Sequence, residues 1–328
     1  MGASNKGKSP NSISPIFTIR QKYNGMSYTD KTLKWGHARS AMTLFFITVA
    51  SLVFFGGIGL TFANTTYGIT SPKGMRWFQF SVSLGLFLMP PLIFSQIATS
   101  NPARFLQLVY LPSYGSPTHS RKNAEKLPSA FQTYTALAMV CIGAFFAIDL
   151  LAQLNQYIVP NNSYFQGLKD QEALVIDSLK TLLKDTSSLA LLANAVVLVL
   201  VPAFGEEFFF RGVLQKMFNR SIGIRGAILA SAACFAVAHQ QPLSFIPLLF
   251  MGVLLGYTKY WTGSLWAPII LHSINNGFAL LSSYSAGGEL QTESTIALGW
   301  SMLGLVPLIL GIVWLRSIRI KHSTWLDQ

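Results

Sequence analysis

Eight stretches of predominantly apolar residues, most of them about 20 residues long, limit what this chain can fold into. They cover roughly residues 41–63, 77–98, 130–153, 188–212, 224–240, 243–260, 265–284 and 295–316. The hydrocarbon core of a bilayer is about 30 Å thick, and a helix needs about 20 apolar residues to cross it. Backbone groups inside a bilayer must be satisfied within the protein. The pattern therefore predicts an all-α fold, a polytopic transmembrane helical bundle of about eight helices.

The composition supports a membrane protein. Charged residues make up 11% of the 328 residues and hydrophobic ones 51%, whereas soluble domains carry roughly 25% charged residues. The net charge of +12 would suit a nucleic acid partner, but the basic residues lie between the apolar stretches, as orientation signals do. We therefore expect a lipid bilayer around the chain and no nucleic acid. Cys141 and Cys234 lie in apolar runs, which argues against a disulfide framework or a thiolate metal site.

The distribution of Lys and Arg predicts the orientation of the chain. The first 40 residues carry seven of them, and residues 282–294 carry none. Because segments rich in Lys and Arg stay on the cytoplasmic side, the alternation of rich and poor loops places both termini in the cytoplasm. We expect an integral multi-pass protein of the cell (inner) membrane.

The chain divides into five parts. They are a basic, partly disordered cytoplasmic tail (1–40), the N-terminal transmembrane segments (41–160), an amphipathic interfacial segment (161–186), a core with buried ionisable residues (187–284), and a last transmembrane helix with a basic tail (285–328). In the interfacial segment, apolar residues recur at helical spacing from Leu174 to Leu183. This spacing predicts an amphipathic helix on the membrane surface.

The sequence "FGEEFFFRGVL", residues 204–214, places Glu206, Glu207 and Arg211 in an apolar segment. Ionisable groups at membrane depth are costly and usually face a cavity or a charged partner. Glu207 and Arg211 are four residues apart, so they share a helix face and can form an ion pair. Glu206 lies about 100° around the helix. It is therefore the carboxylate that remains available for chemistry.

Two histidines in other apolar segments are candidates to meet this carboxylate. His239 ends the fifth segment, while His272 and Asn276 share one face of the seventh at a spacing of four residues. If the fourth and fifth segments form a hairpin that turns near Ile222, Glu206 and His239 each lie about 25 Å from the turn, because a helix rises 1.5 Å per residue. The two side chains are therefore predicted to lie at the same depth.

A carboxylate, two imidazoles and an amide can hydrolyse a peptide bond. Glu206 could deprotonate a water molecule that His239 helps to hold, and His272 and Asn276 could donate hydrogen bonds to the developing oxyanion. The helical zinc-protease signature "HExxH" is absent. Glu206, His239 and His272 could nevertheless form a His₂Glu zinc site with an open position. One Zn²⁺ is therefore a candidate cofactor.

Three short motifs carry a resemblance to a known family. "EEFFFR" fits E-E-x-x-x-R, "FAVAH" fits F-x-x-x-H and "HSINN" fits H-x-x-x-N, in this order and on three separate apolar segments. Together they resemble the CPBP family, which comprises CAAX proteases and bacteriocin-processing proteins and is also called the Abi family. Within it, the chain is similar to the type II CAAX prenyl endopeptidases. The resemblance covers about residues 187–284.

The resemblance implies an intramembrane endopeptidase that is either glutamate-dependent or metal-dependent. It implies that Glu206 is the general base, that Glu207 and Arg211 support it, and that His239 shares the water. It also implies that His272 and Asn276 form an oxyanion hole. The substrate would be a peptide or protein at the membrane, either lipid-anchored or membrane-bound.

Other interpretations of the same residues stay open at this stage. The chain could be a non-catalytic membrane scaffold or a bacteriocin-immunity type protein. A proton-coupled transporter is a third class because Glu–His pairs also form proton relays, but inverted repeats and matching broken segments are not evident. Asn276 could bridge helices, and Phe235 is expected to pack. Asp149 is expected to be an interfacial anchor.

Overall fold

The computed structural model describes residues 22–23, 26–27, 31, 35–108, 130–158, 162–290 and 296–322. Helices dominate these residues. The strands among them are Lys22–Tyr23 and Met26–Ser27, a two-residue antiparallel pair. The predicted all-α class is therefore confirmed. Most of the tail predicted to be partly disordered, including residues 1–21, lies outside the described residues, as does the end of the C-terminal tail.

The helices are numbered here in chain order. They are α1 (His37–Tyr67), α2 (Pro72–Ala98), α3 (Pro102–Phe105), α4 (Ala130–Ile158), α5 (Ser163–Leu183), α6 (188–222), α7 (224–238), α8 (Phe245–Thr262), α9 (Trp266–Ser285), α10 (Leu298–Leu303) and α11 (Leu305–His322). A single 3₁₀ turn, Pro242–Ser244, precedes α8.

The predicted number of eight membrane spans is not confirmed. In the part of the chain that the structure describes, six helical stretches are long and apolar enough to cross a membrane: His37–Tyr67, Pro72–Ala98, Ala130–Asn155, Ser188–Ala238, Pro242–Thr262 and Leu298–Ile318. Ser188–Ala238 contains two of the predicted segments, as α6 and α7. The predicted seventh segment is a helix, α9, but polar residues in its middle, including His272 and Asn276, lower its hydropathy. The polytopic architecture is confirmed.

The chain reverses direction between α6 and α7 at Gly223. The backbone there has φ +69° and ψ 170°, a conformation that glycine adopts without a steric penalty. The turn predicted near Ile222 is therefore confirmed. Because the helices fold back on each other, Glu206 Oε2 of α6 and the Nε2 atom of His239, directly after α7, come within 4.0 Å.

Two glycines let α8 approach its neighbours closely. A Cβ atom on Gly252 would lie 2.9 Å from Ala232 of α7, and one on Gly256 would lie 2.9 Å from Ile228 Cγ2. Small residues four apart allow this kind of close helix packing in membranes. The Gly252 carbonyl also accepts a hydrogen bond of 3.0 Å from Arg211 Nη2. α8 is thereby fixed to α6 and α7 at the level of the buried charges.

One buried hydrophobic cluster lies between α4, α6, α7, α8, α9 and α11. Its members include Val140, Phe210, Phe235, Leu255 and Leu315. The outer faces of the helices carry apolar side chains that are more than half exposed, among them Phe45, Val53, Leu189, Val237 and Ile309. Water would disfavour such a surface, whereas the hydrocarbon of a bilayer solvates it.

The predicted amphipathic helix is present as α5 and begins earlier than the pattern indicated, at Ser163. Its Glu172 is buried, and the carboxylate accepts hydrogen bonds from the Leu243 amide (2.9 Å) and the Ser244 hydroxyl (2.5 Å). These groups lie in the 3₁₀ turn directly before α8, where amide groups lack partners within the helix. α5 therefore holds the short loop that follows His239.

A polar cluster ties α2 and α5 to the start of α6. Arg76 is buried, and its Nε donates to Asn194 Oδ1 at 2.8 Å. Its Nη2 donates to the Leu182 carbonyl at 3.3 Å, and the Asn194 amide donates to the same carbonyl at 3.1 Å. The start of the helix that carries both glutamates is therefore anchored by buried hydrogen bonds.

Replacing Gly252 by alanine should destabilise the bundle, because the added Cβ atom would lie 2.9 Å from Ala232. Overpacking of this kind typically costs about 1–3 kcal/mol. Gly57→Ala in α1 is the matched control, since a Cβ atom there meets nothing within 4 Å. Thermal unfolding of the two variants in detergent measures the difference. Equal thermal unfolding midpoints for the Gly252→Ala and Gly57→Ala proteins would contradict the close packing of α8 against α7.

Candidate active site

The centre of the site is a buried ion pair within α6. Arg211 Nη1 lies 2.8 Å from Glu207 Oε1, and both side chains are 0% exposed. The same Oε1 atom lies 2.9 Å from the Nδ1 atom of His272 on α9. The predicted pairing of Glu207 with Arg211 is therefore confirmed. The structure adds His272 to it.

Glu206 faces the other side of the same cluster. Its Oε2 atom lies 3.9 Å from His272 Nε2 and 4.0 Å from His239 Nε2. These distances are too long for direct hydrogen bonds. Oε2 is buried and has no hydrogen-bond partner among the described residues. Glu206 and the two predicted histidines are thus brought together, with the glutamate oxygen available to a further group.

The hydrogen bonds of the two imidazoles fix which nitrogen atom faces Glu206. His239 Nδ1 lies 2.8 Å from the Phe235 carbonyl, and His272 Nδ1 lies 2.9 Å from a carboxylate oxygen. Both partners are acceptors, so both Nδ1 atoms donate. In the neutral form, each Nε2 atom therefore carries a lone pair. Two nitrogen acceptors therefore lie about 4 Å from the same carboxylate oxygen.

The spacing of these three atoms fits a bridging water molecule. Hydrogen bonds of about 2.8 Å span a separation of 3.9–4.0 Å at an angle of about 90°. Two ligands of a tetrahedral zinc ion, at about 2.0–2.2 Å from the metal, lie about 3.4 Å apart, so the observed separations are about half an ångström too long. No group of three or more His, Cys, Asp and Glu within the described residues is arranged to hold a metal ion. The three groups are therefore spaced more widely here than the ligands of a tetrahedral zinc ion, and the zinc site stays a prediction.

The backbone of α6 is wider than an α-helix from Glu207 onward. Glu207–Leu214 forms π-helical turns directly after Glu206. Such segments are frequent at functional sites because they redirect side chains and backbone groups. The side chain of Glu206 is 11% exposed, that of His272 4% and that of His239 27%. The site is therefore reached from the side of His239.

Phe235 packs, as predicted, and its partners are the groups of the site. Its ring centroid lies 4.5 Å from that of His239 and 5.8 Å from that of His272. Arg211 Cζ lies 4.5 Å from the same centroid, within range of a cation–π interaction. The spacing of four residues indicated the contact with His239. The other two contacts require the tertiary fold.

Asn276 lies one helical turn after His272 and contacts α6. Its Nδ2 atom donates to the Leu198 carbonyl at 3.3 Å. Pro202, four residues after Leu198, has no amide hydrogen to donate to that carbonyl. The amide of Asn276 therefore bridges two helices, one of the interpretations that the sequence left open. Its role in an oxyanion hole stays a prediction.

Lys259 also contacts the site and was not predicted from the sequence. This residue of α8 is 7% exposed, and its Nζ atom donates to the Arg211 carbonyl at 2.5 Å. A lysine in the last turns of an apolar helix is a signal that could have identified it. Asp149 lies outside the cluster, where its Oδ2 atom accepts from Ser301 Oγ at 2.6 Å. This bond ties α4 to α10, and the interfacial anchoring role stays a prediction.

Comparison with known proteins confirms the resemblance. Residues 188–278 match the family model described as "Type II CAAX prenyl endopeptidase Rce1-like". A relative from Staphylococcus aureus (strain USA300), described as "Membrane-embedded CAAX protease MroQ", is 37% identical over 83 residues, which are 23% of this chain and 33% of the relative. The "Uncharacterized protein YpbD" of Bacillus subtilis (strain 168) is 38% identical over 81 residues, 25% of this chain and 41% of that protein. The matched region thus spans less than half of either relative. No solved structure matches the chain.

The two glutamates should differ in their effect on stability. Glu207→Gln leaves the fully buried Arg211 without its charged partner, and breaking a buried pair typically costs about 3–5 kcal/mol. Glu206→Gln should change stability far less, because the nearest basic nitrogens lie 3.9 and 4.0 Å from its carboxylate. Thermal unfolding of both purified variants tests this expectation. Equal destabilisation would contradict the separate roles.

Proposed function

We propose that this chain, which carries a region of the Rce1-like type II CAAX prenyl endopeptidase family in residues 188–278, is an intramembrane endopeptidase. The observation that carries the proposal is the convergence of Glu206 Oε2 and two imidazole nitrogens at 3.9 and 4.0 Å. One water molecule bound there could donate one hydrogen bond to the carboxylate and one to an imidazole nitrogen. The substrate is a peptide bond of a membrane-associated protein.

In the proposed mechanism, Glu206 is the general base. The water donates one hydrogen bond to Glu206 Oε2 and the other to the Nε2 atom of His239, which leaves its oxygen free to attack the carbonyl carbon. Glu206 takes a proton from the water as the C–O bond forms. It then returns this proton to the peptide nitrogen, the C–N bond breaks, and a carboxylic acid and an amine are released.

The negative charge that develops on the carbonyl oxygen needs hydrogen-bond donors. His272 can donate from Nε2 when both of its nitrogens are protonated. The Glu207 carboxylate, 2.9 Å from Nδ1, would balance the positive charge of that form. Asn276 would be the second donor, after its amide turns away from the Leu198 carbonyl. Glu207 and Arg211 are positioning residues in this scheme.

The setting of the site supports a substrate that is associated with the membrane. The three groups lie in apolar helices whose outer faces expose apolar side chains, so a substrate reaches them from the bilayer or its surface. We propose lipid-anchored or membrane-bound proteins as substrates. The enzyme would work in the cell membrane with both of its termini in the cytoplasm.

Replacing Glu206 by glutamine should abolish cleavage while the protein still folds. Loss of a general base lowers the rate by about 10²–10⁴-fold. Quantitative proteomics of membranes from cells with the wild-type or the variant protein should reveal at least one membrane protein that stays unprocessed. Glu289→Gln, at an exposed acid after α9, is the control that keeps activity. Unchanged processing in the Glu206 variant would favour a non-catalytic scaffold.

Metal analysis tests whether Glu206 activates the water without the help of a metal ion. We expect the purified protein to contain far less than one zinc per chain, and we expect a chelator to leave its activity unchanged, because the separations at the site exceed those of zinc ligands. One zinc per chain that is lost in a His239→Ala variant would contradict the metal-free mechanism and support the His₂Glu site.

A further inference from the structure

A cavity of about 630 Å³ opens between α1, α2, α6 and α7. Apolar side chains such as Leu44, Leu86 and Phe209 form much of its wall. Along α6 it extends from Phe209 to Ser221, which is about 18 Å at 1.5 Å per residue. One leaflet of the hydrocarbon core is about 15 Å thick, half of the 30 Å core. The cavity therefore has about the length of one leaflet.

One end of this cavity is polar. His37, Ser40, Arg220 and Ser221 line it, and Ser221 Oγ lies 3.0 Å from His37 Nδ1. Ser40 is 1% exposed, and its hydroxyl oxygen has no hydrogen-bond partner in the residues that the structure describes. A guanidinium and a buried hydroxyl at the mouth of an apolar slot are suited to bind anionic oxygen atoms.

The size of the cavity distinguishes between two kinds of apolar occupant. An α-helix is at least about 10 Å wide, so 18 Å of helix would fill about 1,400 Å³, more than twice the volume of the cavity. A single hydrocarbon chain is much thinner. The dimensions therefore favour a lipid chain over a transmembrane segment of another protein.

We propose that this cavity binds one anionic phospholipid of the bilayer. Its phosphate lies at Ser40 and Arg220, and one acyl chain follows the apolar wall. Basic residues near a membrane surface attract anionic lipids, and Arg220 lines the polar end of the cavity. The far end of the cavity is lined by Ala238 and Gln240, the two neighbours of His239. The bound lipid would therefore support the helix pair that carries the site, whether or not the site cleaves peptides.

Lipid retention by the full-length protein tests the proposal. The protein is purified in mild detergent, mixed with equal amounts of phosphatidylglycerol and phosphatidylcholine, and measured by native mass spectrometry. We expect one phosphatidylglycerol to be retained preferentially, and Arg220→Gln to lower its retention about fivefold, the effect of one basic residue near a lipid surface. Arg225→Gln is the matched control, because this exposed residue of the same turn does not line the cavity.

A second variant tests the acyl chain separately from the headgroup. Ala41 lines the cavity, so Ala41→Phe should block the slot and reduce retention of phosphatidylglycerol while both arginines remain. The Ala41→Phe variant also serves as the test if the Arg220→Gln protein does not fold. Equal retention by wild type, Arg220→Gln and Ala41→Phe would overturn the proposal. Preferential retention of phosphatidylcholine would contradict the proposed preference for an anionic headgroup.

Discussion

The Glu207 carboxylate is the contact on which the arrangement of the site depends. One of its oxygen atoms accepts hydrogen bonds from Arg211 at 2.8 Å and from His272 at 2.9 Å. A charge in the middle of an apolar bundle is tolerated when it is paired and hydrogen-bonded. Because its partners come from α6 and α9, satisfying this charge also sets the position of one imidazole. The neighbouring Glu206 is then free to face both histidines.

Backbone features make this contact geometrically possible. Gly223 reverses the chain with a positive φ, so that α7 returns along α6. Gly252 lets α8 approach α7, and its carbonyl accepts a second hydrogen bond from Arg211. The Asn276 amide donates to the Leu198 carbonyl of α6. The glycines thus provide the turn and the close approach that bring these polar groups together.

Much of the site could be predicted because helical spacing is a local property. The interval of four residues between Glu207 and Arg211 predicted their ion pair, and equal distances from the turn predicted the meeting of Glu206 and His239. The number of spans was predicted less accurately. The helices α6 and α7 form one apolar stretch, and polar residues lower the mean hydropathy of α9. Lys259 and Glu172 were missed because their partners are distant in sequence, the Arg211 carbonyl for Lys259 and the Leu243 amide and Ser244 hydroxyl for Glu172.

The sequence by itself determined the helical membrane architecture, the pairing within α6 and the residues that approach one another. Those properties follow from hydrophobicity and from the repeat of the helix. The tertiary structure alone decided that His272 binds Glu207 through Nδ1 and that its Nε2 atom faces Glu206 at 3.9 Å. It also decided the cavity beside α1. Rotation of each helix about its axis and the distances between helices depend on packing across the whole bundle, which no local pattern encodes.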